Sequence, residues 1–211
     1  MGKRFVIIFA TIGIAILTIV SVVSRPIAVG LNEISNYDGK DVSVQGIVTE
    51  RYSTKSGNTV LKLWHENATV AVFVKGSLNA DSGDEIRVVG KVQSYNNDYE
   101  IVVFDSSKVE IISKWSDSSI SIAKLKYQVE KYRNTNVNVT GYASAISATE
   151  FTLVDNLSSC SSFIKVVIRK TLALPVEKQL VYVKATLVYD ENSFSYFLRL
   201  DTNSHEVGTI E

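Results

Sequence analysis

A first question is which side chains in this chain of 211 residues could carry out chemistry. Histidine is scarce, with two residues, and cysteine is represented by Cys160 alone, so a His-rich metal site and an internal disulfide framework are both excluded. His65 precedes Glu66 at the end of an apolar-alternating stretch with no second His nearby, and it reads as a surface imidazole. Asp84-Glu85 and Asp190-Glu191 are adjacent carboxylates. Neighbours on a strand point to opposite faces, which suits solvation better than a shared acid/base task. Cys160 sits in a Ser-rich loop, Ser158 to Ser162, with no adjacent base to activate it. The glycine-rich phosphate loops, the Gly-x-Ser-x-Gly elbow and the His-Glu-x-x-His zinc motif are all missing. The expectation is a non-enzymatic protein without a cofactor.

The elements that position these residues begin with an uncharged apolar run, Phe5 to Val23. At about 1.5 Å per residue it spans roughly 28 Å, close to the hydrocarbon thickness of a bilayer. Lys3 and Arg4 precede it, and Arg25 and Pro26 follow. The charge bias puts the N-terminus in the cytoplasm and everything after Arg25 outside. A cleaved signal peptide is the rival, but its apolar core is shorter, about 7 to 15 residues, and no Ala-x-Ala site follows. The expectation is an uncleaved single-pass membrane anchor with extracytoplasmic domains. Asn-x-Ser/Thr sequons at Asn67, Asn138 and Asn156 occur at the frequency chance gives, so they carry no weight for or against export.

Beyond the anchor, alternation of apolar and polar residues marks five strands: Val42 to Val48, Thr59 to Trp64, Thr69 to Val74, Glu85 to Val92 and Tyr99 to Val103. Turn residues separate them, and the segment 77–82 has room for a single helical turn at most. The pattern then recurs. Tyr37 to Gly46 aligns with Tyr132 to Gly141 at a constant offset of 95, matching Tyr, two Val and Gly. Phe151 to Val154, Phe163 to Ile168, Leu180 to Val188 and Phe194 to Leu200 supply further strands in the same order. A lead-in helix is expected over Ser116 to Lys131, with Leu31 to Tyr37 as its shorter equivalent.

Five short strands, with glycine in the first (Gly39-Lys40-Asp41-Val42-Ser43-Val44-Gln45-Gly46) and around the fourth (Gly83-Asp84-Glu85-Ile86-Arg87-Val88-Val89-Gly90), resemble the oligonucleotide/oligosaccharide-binding fold, the OB-fold. The resemblance covers residues 35–112 and, more loosely, 129–207, where Gly83 and Gly90 have no evident counterparts. It implies an all-β chain: two five-stranded Greek-key barrels in tandem after one N-terminal transmembrane helix. The boundaries are 1–30 for anchor and linker, 31–114 for the first barrel, and 115–211 for the linker helix and second barrel.

The resemblance also implies a binding face on the second and third strands, flanked by the loops joining strands one to two and four to five. Projected onto the first barrel, that face carries Lys62 and Trp64 with Phe73 and Lys75, and Tyr52, Tyr95 and Tyr99 lie at the loops. Aromatic rings beside cations suit stacking on bases or sugars. The competing reading has Trp64 and Phe73 covering a seam between barrels. Residues 35–114 hold 9 Lys plus Arg against 11 Asp plus Glu, and residues 115–211 hold 10 of each, so neither barrel is basic. This weakens the case for single-stranded nucleic acid, though a local basic patch stays open, and leaves glycans, peptides and protein partners at least as well supported. A structural or assembly subunit of a membrane complex is the alternative. The haem chaperones of cytochrome c maturation also join an anchor to a barrel, but attach haem through a His or Cys four residues before a Tyr. Thr69, Thr209 and Ile164 stand at that spacing here.

Overall fold

The computed structural model describes residues 9–16, 26–158 and 162–210. Two sheets account for the chain after Pro26. In the first, β2 (Asp41–Ser53), β3 (Thr59–His65), β4 (Ala68–Val74), β6 (Asp98–Val103) and β5 (Glu85–Tyr95) are neighbours in that order, and β2 pairs with β5 to close the ring. β1 (Ile27–Ala28) and β7 (Val109–Ser113) extend it. β4 and β6 run parallel and the other pairs of the ring are antiparallel. A closed five-stranded barrel with this connectivity is an OB-fold.

The second sheet repeats the scheme. β9 (Asn136–Ser144), β10 (Glu150–Val154), β11 (Phe163–Ile168), β13 (Ser195–Leu200) and β12 (Leu180–Asp190) follow one another, and β12 pairs with β9. β8 (Ile120–Ser121) and β14 (Glu206–Thr209) lie at the margins. Each ring encloses its own apolar core. Leu61, Leu63, Val72, Ile86 and Ile101 fill one, and Phe151, Leu153, Val166, Leu187 and Leu198 fill the other. The inward residues alternate along each strand, as the period of a half-buried strand requires.

The repeat also holds in the hydrogen bonds. Gly83 and Lys178 both have positive φ, 98° and 64°, and donate their amides to Val48 O and Ala143 O at 2.8 and 2.7 Å. Gly39 and Asn134, likewise left-handed, donate to Val92 O and Leu187 O. The glycine inside each first strand serves a close approach. A Cβ at Gly46 would stand 2.9 Å from Trp64 O, and one at Gly141 would stand 2.9 Å from Val154 O. Lys178 and Ala185 thus hold the places of Gly83 and Gly90, at the same offset of 95 but without the glycine.

Several expectations are revised. The helix expected over Ser116 to Lys131 is β8 followed by two short helices, Ile122–Tyr127 and Val129–Tyr132, broken at Gln128 (φ −117°, ψ 33°). Ser121 caps the first by accepting from the Lys124 amide at 3.2 Å. Leu31–Tyr37 is a 3₁₀ helix, and the segment 77–82 contains no helical turn. Asp84, expected in solvent, is fully buried, because its carboxylate anchors the chain that links the barrels. Of the apolar run Phe5 to Val23, residues 9–16 are helical and the rest lies outside the described residues, as does Cys160. No helix among the described residues is long and apolar enough to cross a membrane.

Candidate functional site

The residues expected to line a binding face on the first barrel do not make one continuous surface. Val60, Lys62 and Trp64 share the outer face of β3. Tyr52, Val60, Phe73 and Val102 stand opposite one another in a row across four strands, whereas Trp64 faces Ile47 and Thr69. Trp64 is thus four residues along the strand from that row, about 13 Å away. Lys62 lies between them and is paired with Glu50 at 3.2 Å. Lys75 is exposed past the end of β4, Tyr95 is exposed at the β5–β6 turn, and Tyr99 packs against the first core.

A broad concavity lies on the second barrel. A groove of about 980 Å³ runs from the helix bearing Leu125 and Lys126, past Val129, over β11, β13 and β12. Register explains its chemistry. Thr152, Lys165, Phe197 and Val188 form one row across four strands, and Glu150, Val167, Arg199 and Thr186 form the next. Counted from the equivalent core pairs Val72–Ile101 and Val166–Leu198, Lys165 and Phe197 occupy the positions of Ala71 and Glu100 in the first barrel. The two barrels therefore present different faces. Projecting the binding face onto the second copy as well as the first would have found these residues.

Aromatic side chains form the walls. Phe163 opens β11 with the Lys126 ammonium 4.7 Å over its ring, and the Tyr189 and Tyr196 rings meet at a tilt of 51°, centroids 4.8 Å apart, with the Arg133 guanidinium 5.2 Å from Tyr189. The Tyr196 hydroxyl donates to Glu130 at 2.9 Å. Burial, reinforced by that carboxylate, raises its pKa above the usual phenol value. Lys165 is paired with Glu150 at 2.9 Å and Arg199 with Asp201 at 2.5 Å. In the β12–β13 turn, Asp190 accepts from Ser193 Oγ at 2.7 Å and from the Asn192 amide at 3.1 Å. Those bonds, the Ser193 hydroxyl first, hold its pKa below the ordinary carboxylate value.

A second constellation joins the barrels. Gly83 lies against the backbone carbonyl of Asn136, with the Trp115 side chain beside it. Asp84 accepts from the Trp115 amide at 3.1 Å and the Asp81 amide at 2.9 Å. The Trp115 ring meets His205 edge-on, centroids 6.4 Å apart. His205 is fully buried. Its Nδ1 accepts from the amides of Asp201 and Thr202 at 3.1 and 3.2 Å, so the proton sits on Nε2, which donates to Asn136 Oδ1 at 3.2 Å. Desolvation depresses its pKa, with Asp201 acting in the opposite direction. With both ring nitrogens engaged, His205 offers none to haem iron. Trp115 lies at the seam, where it lines a small cavity of about 70 Å³ with Gly83 and Tyr132, and a separate polar cleft of about 630 Å³ is lined by Arg51, Asp81, Asn134 and Arg199. Among the sequons, Asn138 is buried and its amide donates to Ser116 O, whereas Asn67 and Asn156 are exposed. Among the described residues, no three His, Cys, Asp or Glu side chains cluster to hold a metal.

No family model matches the sequence, and no curated protein matches it. Solved structures show partial likeness. The OB domain of a Methanosarcina mazei protein is 16% identical, with 43% of this chain and 87% of that one covered and a TM-score of 0.37. Telomere capping protein Ten1 from Saccharomyces pombe is 15% identical over 50% of this chain and 95% of its own, at a TM-score of 0.32. Asparaginyl-tRNA synthetase from Pyrococcus horikoshii is 18% identical over 44% of this chain, at a TM-score of 0.37, and the match spans 24% of the synthetase.

Proposed function

We propose that this chain is a non-catalytic binding protein of two tandem OB-fold barrels, tethered to a membrane by residues 5–23, with its N-terminus cytoplasmic and its barrels outside. The ligand is held in the groove of the second barrel. The observation that carries this reading is the groove itself, about 980 Å³ with Phe163, Phe197, Tyr189 and Tyr196 among its lining residues, within the size range of ligand sites. Its position on β11, next to the β12–β13 turn, corresponds to the third strand and the four-to-five loop of the face that OB-folds use. Glycans, peptides or proteins, and single-stranded nucleic acid are the ligand classes compatible with such a surface. The apolar run flanked by Lys3 and Arg4 supports the tether and its orientation.

Binding is tested by titrating labelled oligosaccharides, peptides and oligothymidylate into the full chain in mild detergent, beside a Phe163→Ala variant. The reading expects at least one class to bind and to lose affinity in the variant. Placement is tested by protease treatment of intact cells, where digestion of the barrels without lysis is expected. A second reading, a structural subunit of a membrane complex, is favoured by Tyr127 and Phe194, which are 88% and 82% exposed. A stoichiometric partner retained after Phe163→Ala but lost after Tyr127→Ser would favour it.

A further inference from the structure

The apolar and charged groups around the groove fit one kind of occupant better than the others, and this step rests on the groove being the ligand site. Three large rings from three separate elements are exposed: Phe163 (56% exposed), which lines the groove on β11, Tyr127, next in the chain to the lining Lys126, and Phe194, between the lining Ser193 and Ser195 in the β12–β13 turn. Phe194 has φ 49°, a left-handed conformation that bulky side chains rarely adopt, in a turn fixed by the bonds to Asp190. Local strain that holds an aromatic ring in water is consistent with a surface kept for contact.

The charges narrow the choice. Lys165 and Arg199 are already neutralised by Glu150 and Asp201. Among the described residues, Lys126, Arg133 and Arg169 form no ion pair, while the acids on this side that no cation pairs are Glu130, held by the Tyr196 hydroxyl, Asp190, tied into its turn, and the exposed Glu191. A nucleic-acid strand brings one phosphate per nucleotide and draws affinity from neutralising them, which three dispersed cations beside three acids serve poorly. A sugar polymer needs a dense set of polar partners, and the walls here are chiefly aromatic and aliphatic. We propose that the groove is the docking surface for an extended segment of a partner protein, with aromatic or aliphatic side chains lodged along β11 and β13 and Asp or Glu residues set against Lys126 and Arg169.

A displayed library of random linear peptides, panned on the full chain in mild detergent, tests this. The expected result is enrichment of peptides that combine Phe, Leu or Trp with Asp or Glu. Their binding should fall about tenfold in both Phe163→Ala and Lys126→Glu, with circular dichroism unchanged. Peptides rich in Lys or Arg, or no groove-dependent enrichment, would overturn the partner assignment. If oligothymidylate or an oligosaccharide instead binds and is lost in Phe163→Ala, the groove stands and the partner class falls. If no ligand of any class responds to either substitution, both fall.

Discussion

Gly83 packs against the backbone carbonyl of Asn136, so the two barrels meet main chain to main chain. There is no room for a β-carbon, and φ at Gly83 is 98°. Gly83→Ala should therefore cost about 2–4 kcal/mol, combining a left-handed alanine with a forced separation of the barrels. Urea unfolding of the chain in mild detergent checks the magnitude. A loss under about 0.5 kcal/mol would mean that the joint is not tightly packed in solution.

Lys178 provides the internal control. It has the same hydrogen bond and handedness as Gly83 but lies in the second barrel, without a neighbouring barrel against it. Lys178→Gly relieves about 1–2 kcal/mol of left-handed strain and costs about 0.5–1 kcal/mol in chain entropy. The same unfolding measurement should find it neutral or slightly stabilised, opposite in direction to Gly83→Ala.

The joint should also respond to acid. The folded pKa of His205 lies below its unfolded value, so the unfolded chain binds more protons in the interval between them. The stability contributed by the neutral ring is complete above the unfolded value of about 6.5 and is lost as pH falls towards the depressed folded value. The groups facing the ring are Asp201 and Arg199 at the end of β13, Lys170 on the carbonyl of His205, Asn136 and Thr186 from β9 and β12, and uncharged Trp115 from the linker. Protonation of Nδ1 would break its bonds to two backbone amides, and Asp201 Oδ1 at 3.3 Å recovers part of the loss. Trp115 emission, read in a Trp64→Phe background, should change with pH in this window and lose that dependence in His205→Gln.

Much of this architecture is legible in the residues. Alternation places Leu61 and Leu63 inside and Lys62 outside, and the offset of 95 between Gly46 and Gly141 marks one tight passage beneath a carbonyl made twice. Lys178 stands at the same offset from Gly83, but the left-handed turn they share is hidden because a lysine can hold that φ at a cost. The extra strands β7 and β14 each pair with the fourth strand of their barrel, yet they are four or five residues long, too short to impose a period. The groove is hidden for another reason. Its walls come from β11, β13 and a helix far apart in sequence, and only cross-strand register brings Lys165 beside Phe197. The joint has no linear signature: Asp84, Trp115, Asn136 and His205 are each unremarkable polar or aromatic residues until the fold buries them together.

Loss of groove function should be separable from loss of fold. Phe163 is more than half exposed, so Phe163→Ala should leave the unfolding midpoint nearly unchanged. Phe151→Ala, in the second core, should cost about 3–5 kcal/mol. Thermal unfolding of the two variants distinguishes them.

The central claim is that the ligand sits on the second barrel. It is tested most directly by isothermal titration of one bound ligand, selected on the full chain, into wild type, Phe163→Ala and Trp64→Ala. Phe163→Ala should weaken binding about tenfold, roughly 1.4 kcal/mol, and Trp64→Ala should change it less than twofold. The reverse order, with Trp64→Ala abolishing binding and Phe163→Ala leaving it intact, would contradict the account and place the site on the first barrel.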